Sequence, residues 1–225
     1  SGVPWTVKNL FELKNSQRVL IEGNIFDGAW TMAQTGTAIL LRSSNQAGAC
    51  AWCVGKHMTF RNNIIRNAAG GIALVPFGDK PNNEALNHVL VENNIFENIT
   101  YGPYYLGSNR MILTLPGIFD IIIKNNTMTS PGGLQAFLLL DPRVPYVNNF
   151  EFVNNILTTG QYGLIGSGLP GGDSVFSKTV TGTFINFGNV LIGPTKSGYS
   201  SFQFVPDLTA AEATGKGANR AQVNQ

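Results

Sequence analysis

The chain contains two histidines, His57 and His88, and both occupy the same place in a sequence pattern that recurs along it. Each lies six residues before an asparagine of the pattern, and the next copy carries Asp120 at this position. A histidine beside a carboxylate can transfer protons near neutral pH, and such groups also bind metal ions. Alternatively, polar residues at the start of a strand bond the backbone of nearby loops. The pattern makes His57, His88 and Asp120 catalytic candidates.

A second group of candidates lies where apolar segments between the copies of the pattern end. Its members are charged side chains that can act as acid and base on a glycan: Arg42, Asp79, Asp141 and Arg143. The longest connecting segments leave from the same places, at 42–56, 75–87 and 141–149. Long loops on one side of a repeat protein commonly form its binding face, which favours these residues as the first catalytic set.

Aromatic side chains accompany these loops and are candidates for substrate binding: Trp52, Tyr104, Tyr105 and Tyr146. Aromatic rings offer flat apolar surfaces against which sugar rings stack. The alternative is that these rings pack the loops onto the body of the protein. The sequence leaves both interpretations open.

The two cysteines form a single motif, Cys50-Ala-Trp-Cys53. One such pair does not complete a four-ligand zinc site, and the histidines lack the spacing of a zinc finger. We expect a local disulfide that constrains a loop, with paired structural thiols, or redox or metal chemistry, as the alternatives. A disulfide, many asparagines and few charges favour an extracellular protein.

The elements that position these candidates follow from the repeated pattern, in which alternating apolar residues precede a Gly-Asn or Asn-Asn pair. Its copies cover residues 19–26, 58–65, 89–96, 121–128 and 150–157, with a weaker copy at 184–191. The alternation is typical of a strand with one buried face. The second residue of the pair is the constant one: Asn24, Asn63, Asn94, Asn126, Asn155 and Asn189.

The pair marks a turn between two strands, because asparagine and glycine tolerate left-handed backbone geometry best. In stacked copies the asparagine amides can bond one another as a ladder inside the turn. A third, almost wholly apolar strand lies between copies, for example at 38–41 and 136–140. Three strands per turn, repeated about six times, predict an all-β parallel β-helix over residues 1–205, with a C-terminal cap or tail at 206–225.

Equivalent positions in neighbouring turns of a β-helix form columns on its surface. The column two positions before the ladder asparagine alternates in sign, as Glu22, Arg61, Glu92 and Lys124. A second column, three positions after that asparagine, reads Asp27, Arg66 and Glu97. Like charges directly opposite each other repel, so we expect these residues to form ion pairs with a structural role.

Composition limits the classes of partner. Charged residues make up 12% of the chain and its formal net charge is +2, which is too small to favour nucleic acid. No apolar stretch reaches the roughly 18 residues that predict a membrane span. The sequence predicts no cofactor and no metal site.

Several segments are similar to those of a known group of proteins: 7–15, 18–24, 34–41, the Cys-Ala-Trp-Cys loop and 215–219. They resemble bacterial right-handed parallel β-helix repeat proteins of the pectate-lyase-like superfamily, and the resemblance covers nearly the whole chain. It implies a right-handed β-helix similar to the later part of longer members. We therefore expect upstream chain, a plug formed by residues 1–9 with Trp5, or self-association through an open N-terminal end.

The resemblance implies polysaccharide as the partner. The superfamily includes polysaccharide lyases, glycoside hydrolases, esterases and phage tailspikes, and its pectate lyases use a carboxylate-rich calcium site that this sequence lacks. We expect an extracellular carbohydrate-active protein of the polysaccharide lyase or glycoside hydrolase type. The alternative is a non-catalytic structural or binding module, such as an adhesin, a spike segment or a self-stacking filament unit.

Overall fold

A computed structural model describes residues 7–29, 36–78, 82–101 and 108–223. In these ranges the chain forms a right-handed parallel β-helix with three sheets of stacked parallel strands. Each turn of the helix, here called a rung, contributes one strand to each sheet, and six rungs are complete. The predicted fold class is confirmed, while Trp5, the expected plug of the N-terminal end, lies outside the described residues.

The strands of each sheet follow one another at intervals of one rung. The first sheet contains β1 (Phe11–Lys14), β4 (Ile39–Arg42), β7 (Ile72–Val75), β10 (Arg110–Thr114), β13 (Ala136–Leu140) and β16 (Gly163–Ile165). The second contains β2 (Gln17–Glu22), β5 (Lys56–Arg61), β8 (Asn87–Glu92), β11 (Phe119–Lys124), β14 (Val147–Val153) and β17 (Val180–Phe187). The third contains β3 (Ile25–Asp27), β6 (Ile64–Ala68), β9 (Ile95–Ile99), β12 (Thr127–Met128), β15 (Ile156–Thr158), β18 (Val190–Ile192) and β19 (Gln203–Val205).

The interior consists of columns of apolar side chains, one residue from each rung. In the second sheet, one column contains Met58, Val89, Ile121 and Phe150, all of them buried. The intervening residues of these strands point outward, because side chains alternate between the two faces of a strand. The alternating apolar residues of the repeated pattern are therefore the residues that fill the core.

The asparagine ladder runs the length of the β-helix at the corner between the second and third sheets. The side-chain oxygen of each ladder asparagine accepts bonds from the backbone N–H and the amide of the asparagine one rung before, at 2.8–3.0 Å. Asn63, Asn94, Asn126 and Asn155 are completely buried, whereas Asn24 at the first rung is exposed. The ladder thus satisfies buried polar groups that would otherwise be costly.

The charged columns on the surface form ion pairs between rungs. Arg61 Nε lies 2.8 Å from Glu22 Oε1, and Lys124 Nζ lies 3.2 Å from Glu92 Oε1. In the second column, Arg66 Nε lies 2.9 Å from Asp27 Oδ2. Exposed pairs of this kind each contribute about 0–1 kcal/mol, so they favour the register of the rungs more than they stabilise the fold.

Short helices occur near the C-terminal end, which the sequence pattern did not predict: α1 (Ser174–Thr179), α2 (Leu208–Glu212) and α3 (Arg220–Val223). A single 3₁₀ turn also occurs at Gln46–Gly48. Helix α1 places Phe176 against Phe184 at a centroid distance of 4.7 Å, where it helps to close the interior together with Tyr199 and Phe202.

The last residues run back along the ladder corner, towards earlier rungs. Gly217 N donates to Asn154 O at 2.9 Å, and Ala218 N donates to Thr127 Oγ1 at 3.0 Å. Further on, the Asn93 amide donates to Gln222 at 3.2 Å. This segment therefore ties three consecutive rungs together from outside. The structure does not test whether it is a separate cap or tail.

We predict that Asn94→Ala lowers the free energy of unfolding by about 1–3 kcal/mol, because its neighbours keep buried polar groups without partners. The matched control is Asn24→Ala, at the exposed end of the same ladder, and its effect is expected to be below about 1 kcal/mol. Urea denaturation of both variants measures the difference. Equal losses of unfolding free energy at the two positions would mean that burial of the ladder amides does not stabilise the fold.

Candidate functional site

A column of left-handed residues crosses the second sheet near the start of its strands. It contains Arg18, His57, His88, Asp120 and Asn149, whose φ angles lie between 51° and 56°, followed by Gly182 at 70°. A non-glycine residue in this region costs about 1–2 kcal/mol. Such a residue bends its strand as a bulge does and redirects its side chain. The column thus has a left-handed backbone at five non-glycine positions in register, a conformation that Asn, Asp and His adopt more often than other residue types.

Side chains of this column contact one another from rung to rung. The rings of His57 and His88 lie 4.6 Å apart between centroids. His88 Nε2 lies 3.4 Å from Asp120 Oδ2, and Asn149 Nδ2 donates to Asp120 Oδ1 at 2.7 Å. Asn149 Oδ1 in turn accepts from Thr183 N at 2.8 Å. The structure therefore brings together His57, His88 and Asp120, the three residues that the repeated pattern predicts to form one proton-transfer group.

These residues line a groove on the outer face of the second sheet, here called the histidine groove. Its volume is about 380 Å³ and its wall is formed by His57, His88, Asp120, Asn149, Thr59, Leu90, Ile122, Glu151 and Thr183, with parts of Met58, Val89 and Ile121. The side chains of His88 and Asp120 are 47% and 32% exposed. The His88–Asp120 pair thus lies at the surface of an open groove with an apolar floor.

Glu151 is a groove residue that the sequence analysis did not single out. It belongs to an outward column that reads Leu20, Thr59, Leu90, Ile122, Glu151 and Ile185. The position of Glu151 can be recognised in the sequence, because one carboxylate interrupts a column whose other members are aliphatic or threonine.

His88 is oriented by a polar network on its other side. His88 Nδ1 lies 2.6 Å from Asn87 Oδ1, and the Asn87 amide donates to Glu84 Oε1 at 2.9 Å. Lys56 Nζ bonds Glu84 at 3.0 Å, and this bond is the largest cause of the lowered pKa of Glu84. With Nδ1 engaged by Asn87, the second ring nitrogen of His88 is directed towards Asp120.

The candidates at the end of the first sheet are arranged differently. Arg42 and Asp141 occupy the same column but are three rungs apart, or about 14 Å at 4.8 Å per rung. Asp141 is buried and binds the guanidinium of its neighbour Arg143, through Nε at 2.9 Å and Nη2 at 2.7 Å. These hydrogen bonds hold the pKa of Asp141 below its ordinary value. Asp79 lies outside the described residues.

Arg42 is held against the loop of the next rung. Its Nη2 donates to Phe77 O at 3.3 Å, while Nε is buried without a partner among the described residues. The structure therefore does not join Arg42 with Asp141 and Arg143 into one acid–base group. Their assignment as catalytic residues stays a prediction.

Trp52 is the most exposed of the described aromatic candidates, at 80%. It lies between Cys50 and Cys53, which form a disulfide. The loop is further held by Asn83, whose amide donates to Cys53 O at 2.8 Å. Tyr146 is half-buried, and Tyr104 and Tyr105 lie outside the described residues. Trp52 is thus an exposed ring on a restrained loop five residues before His57.

Two further features concern metals and membranes. Among the residues that the structure describes, no three or more His, Cys, Asp or Glu side chains are grouped as metal ligands. In the same part of the chain, no helix is long and apolar enough to cross a membrane.

Comparisons with protein-family models, with curated proteins and with solved structures found no significant match to this chain.

We predict that His88→Asn leaves the free energy of unfolding within about 1 kcal/mol of the wild type, whereas His88→Val lowers it by a further 1–2 kcal/mol or so. Asparagine tolerates the left-handed backbone at this position, and a β-branched side chain does not. Thermal denaturation of both variants measures the difference. Similar stabilities would mean that the column is not strained.

We also predict that Asp141→Asn destabilises the protein at pH 7 but much less in acid. The pKa of Asp141 is lowered in the folded state, so the stabilisation by its charge is present well above the ordinary value of 3.8 and is lost as the pH falls through the folded value. Chemical denaturation at several pH values measures it. A loss of unfolding free energy that is the same at every pH would mean that the charge of Asp141 does not stabilise the fold.

Proposed function

We propose that the protein is an extracellular carbohydrate-active protein that binds a polysaccharide in the histidine groove and cleaves it by proton transfer. The observation that carries the proposal is the His88–Asp120 pair, 3.4 Å apart in the wall of an open groove. Histidine exchanges protons near neutral pH, and a neighbouring carboxylate orients the ring and stabilises its charged form. Cleavage of a glycan by elimination or by hydrolysis needs groups that give and accept a proton.

The shape of the groove supports a polymeric substrate. It runs from His57 on the second rung to Thr183 on the sixth, four steps of the β-helix. At about 4.8 Å per step, this distance is about 19 Å, longer than a single sugar ring. The floor offers Leu90 and Ile122 to the apolar faces of sugar rings, and the polar column offers hydrogen bonds along one side.

Two further properties support the wider proposal. The Cys50–Cys53 disulfide and the low charge of the chain favour an oxidising, extracellular location. The fold and the segments quoted above support placing the chain with bacterial β-helix proteins of the pectate-lyase-like superfamily, whose members act on polysaccharides. Trp52, which lies five residues before His57 in the chain, is a candidate stacking surface for a sugar ring.

We predict that His88→Asn and Asp120→Asn each lower polysaccharide turnover by about 10²- to 10⁴-fold, because each variant removes a proton-transfer group. Asparagine preserves the left-handed backbone at both positions, so the fold should be kept. Release of reducing ends from a polysaccharide panel measures turnover.

The control is Arg61→Gln, which changes an exposed charged side chain that pairs with Glu22 outside the groove and is expected to keep turnover. Full activity of both asparagine variants would refute the assignment. Polysaccharide binding by the wild type without turnover would instead make the protein a binding module.

A further inference from the structure

We infer that the histidine groove selects neutral glycans and that Glu151 sets this specificity. Cleavage is then hydrolysis, with Glu151 and Asp120 as the two carboxyl groups. The inference rests on the proposed function and narrows its substrate class.

The charges of the groove disfavour acidic glycans. Asp120 and Glu151 both line it, and none of the described residues that line it is arginine or lysine. Lys56, at the start of the same strand as His57, is paired with Glu84 at 3.0 Å. Arg18, the cation in the same column, stands three rungs from Asp120, or about 14 Å away. A chain of uronates would therefore place carboxylates beside carboxylates, and such repulsion is an effective way to reject a ligand.

Neutral glycans fit the same surface without this penalty. The groove offers hydrogen-bonding groups on Thr59, Asn149 and Thr183 and apolar surface on Leu90 and Ile122. The imidazoles of His57 and His88, 4.6 Å apart between centroids and tilted by 49° to each other, add aromatic surface to the groove. Sugars present both hydroxyl groups and apolar ring faces, so an uncharged glycan matches the groove in both respects.

The two carboxylates lie one rung apart and two residues apart along the strands. Asp120 is next to Asn149 in its column, and Glu151 follows Asn149 by two residues on the same face. A step of about 4.8 Å between strands and about 3.3 Å per residue gives a backbone separation of about 8 Å. Side chains on backbone positions this far apart can hold their carboxyl groups roughly 6.5–9.5 Å from each other, the spacing of glycosidases that invert the anomeric centre.

The substrate class determines the reaction. Elimination needs an acidic proton next to a carboxyl group, which a neutral sugar lacks, so a neutral glycan is cleaved with water. Glu151 in its protonated form gives its proton to the glycosidic oxygen as the bond from that oxygen to C1 breaks, whereas its ionised form is the one that repels uronates. The oxygen of a water molecule bonds to C1, and Asp120 accepts the proton that this water loses. Transfer of the proton back to Glu151 through solvent completes the cycle.

The test compares neutral polysaccharides (xylan, glucomannan, mixed-linkage β-glucan, galactan) with uronates (polygalacturonate, alginate), using affinity electrophoresis for binding and product analysis for cleavage. We expect binding and hydrolysis of at least one neutral polysaccharide, with saturated products. Gels that contain uronates should retard the protein only weakly. Glu151→Gln should lower hydrolysis at least about a hundredfold while binding is kept. It should also bind uronates about threefold to tenfold tighter, because a like charge is removed.

The matched control is Glu92→Gln, which changes the same residue type on the same sheet, outside the groove and paired with Lys124. This variant should leave both hydrolysis and the preference for neutral over acidic polysaccharides unchanged. Uronates bound as tightly as neutral chains, unsaturated products, or an active Glu151→Gln variant would each overturn the inference.

The same experiment separates this inference from the proposed function. Cleavage of a uronate that depends on His88 and Asp120 would overturn the inference and keep the function. No binding of any polysaccharide in the panel would overturn both.

Discussion

In-register stacking of the rungs is the constraint on which every other feature of this protein depends. The asparagine ladder fixes that register, because each buried amide bonds the asparagine of the neighbouring rung. A slip of one residue in any strand would turn its buried side chains outward and leave ladder amides without partners. Positions that are tens of residues apart in sequence therefore become neighbours about 4.8 Å apart. The histidine groove is one consequence of that arrangement.

The groove also depends on strain that the stacking supports. Left-handed backbone recurs at His57, His88 and Asp120, although none of them is glycine. A single such residue is costly, and it persists only where the surrounding structure fixes it, as at many functional sites. Here the ladder and the apolar columns on either side provide that support. The result is a row of polar side chains directed outward, beside an apolar floor.

Much of this architecture could be predicted from sequence, because the features concerned are local and repeated. The alternation of Val89 and Val91, the constant ladder asparagine and the apolar third strand each follow from a short pattern. The repeat also predicted that His57, His88 and Asp120 share a column, since it fixed the register. Periodic burial is encoded residue by residue, so a single sequence is enough to find it.

Other features could not be predicted because they depend on distant contacts. The bend at His88 arises from the closure of the rung and has no signature of its own. The pairing of Asp141 with Arg143 depends on how one loop folds back, and helix α1 exists because Phe176 covers the end of the core. Glu151 was visible in the sequence, yet its importance depends on a groove that only the assembled sheet creates.

The histidine groove can be tested directly by nuclear magnetic resonance, because both histidines of the chain line it. In untagged protein, two imidazole signals therefore report on this one surface. Fragments of a bound polysaccharide are expected to shift both signals, with the same concentration dependence as binding measured by calorimetry. Binding that is evident by calorimetry while both imidazole signals stay unchanged would place the polysaccharide elsewhere and contradict its binding in the histidine groove.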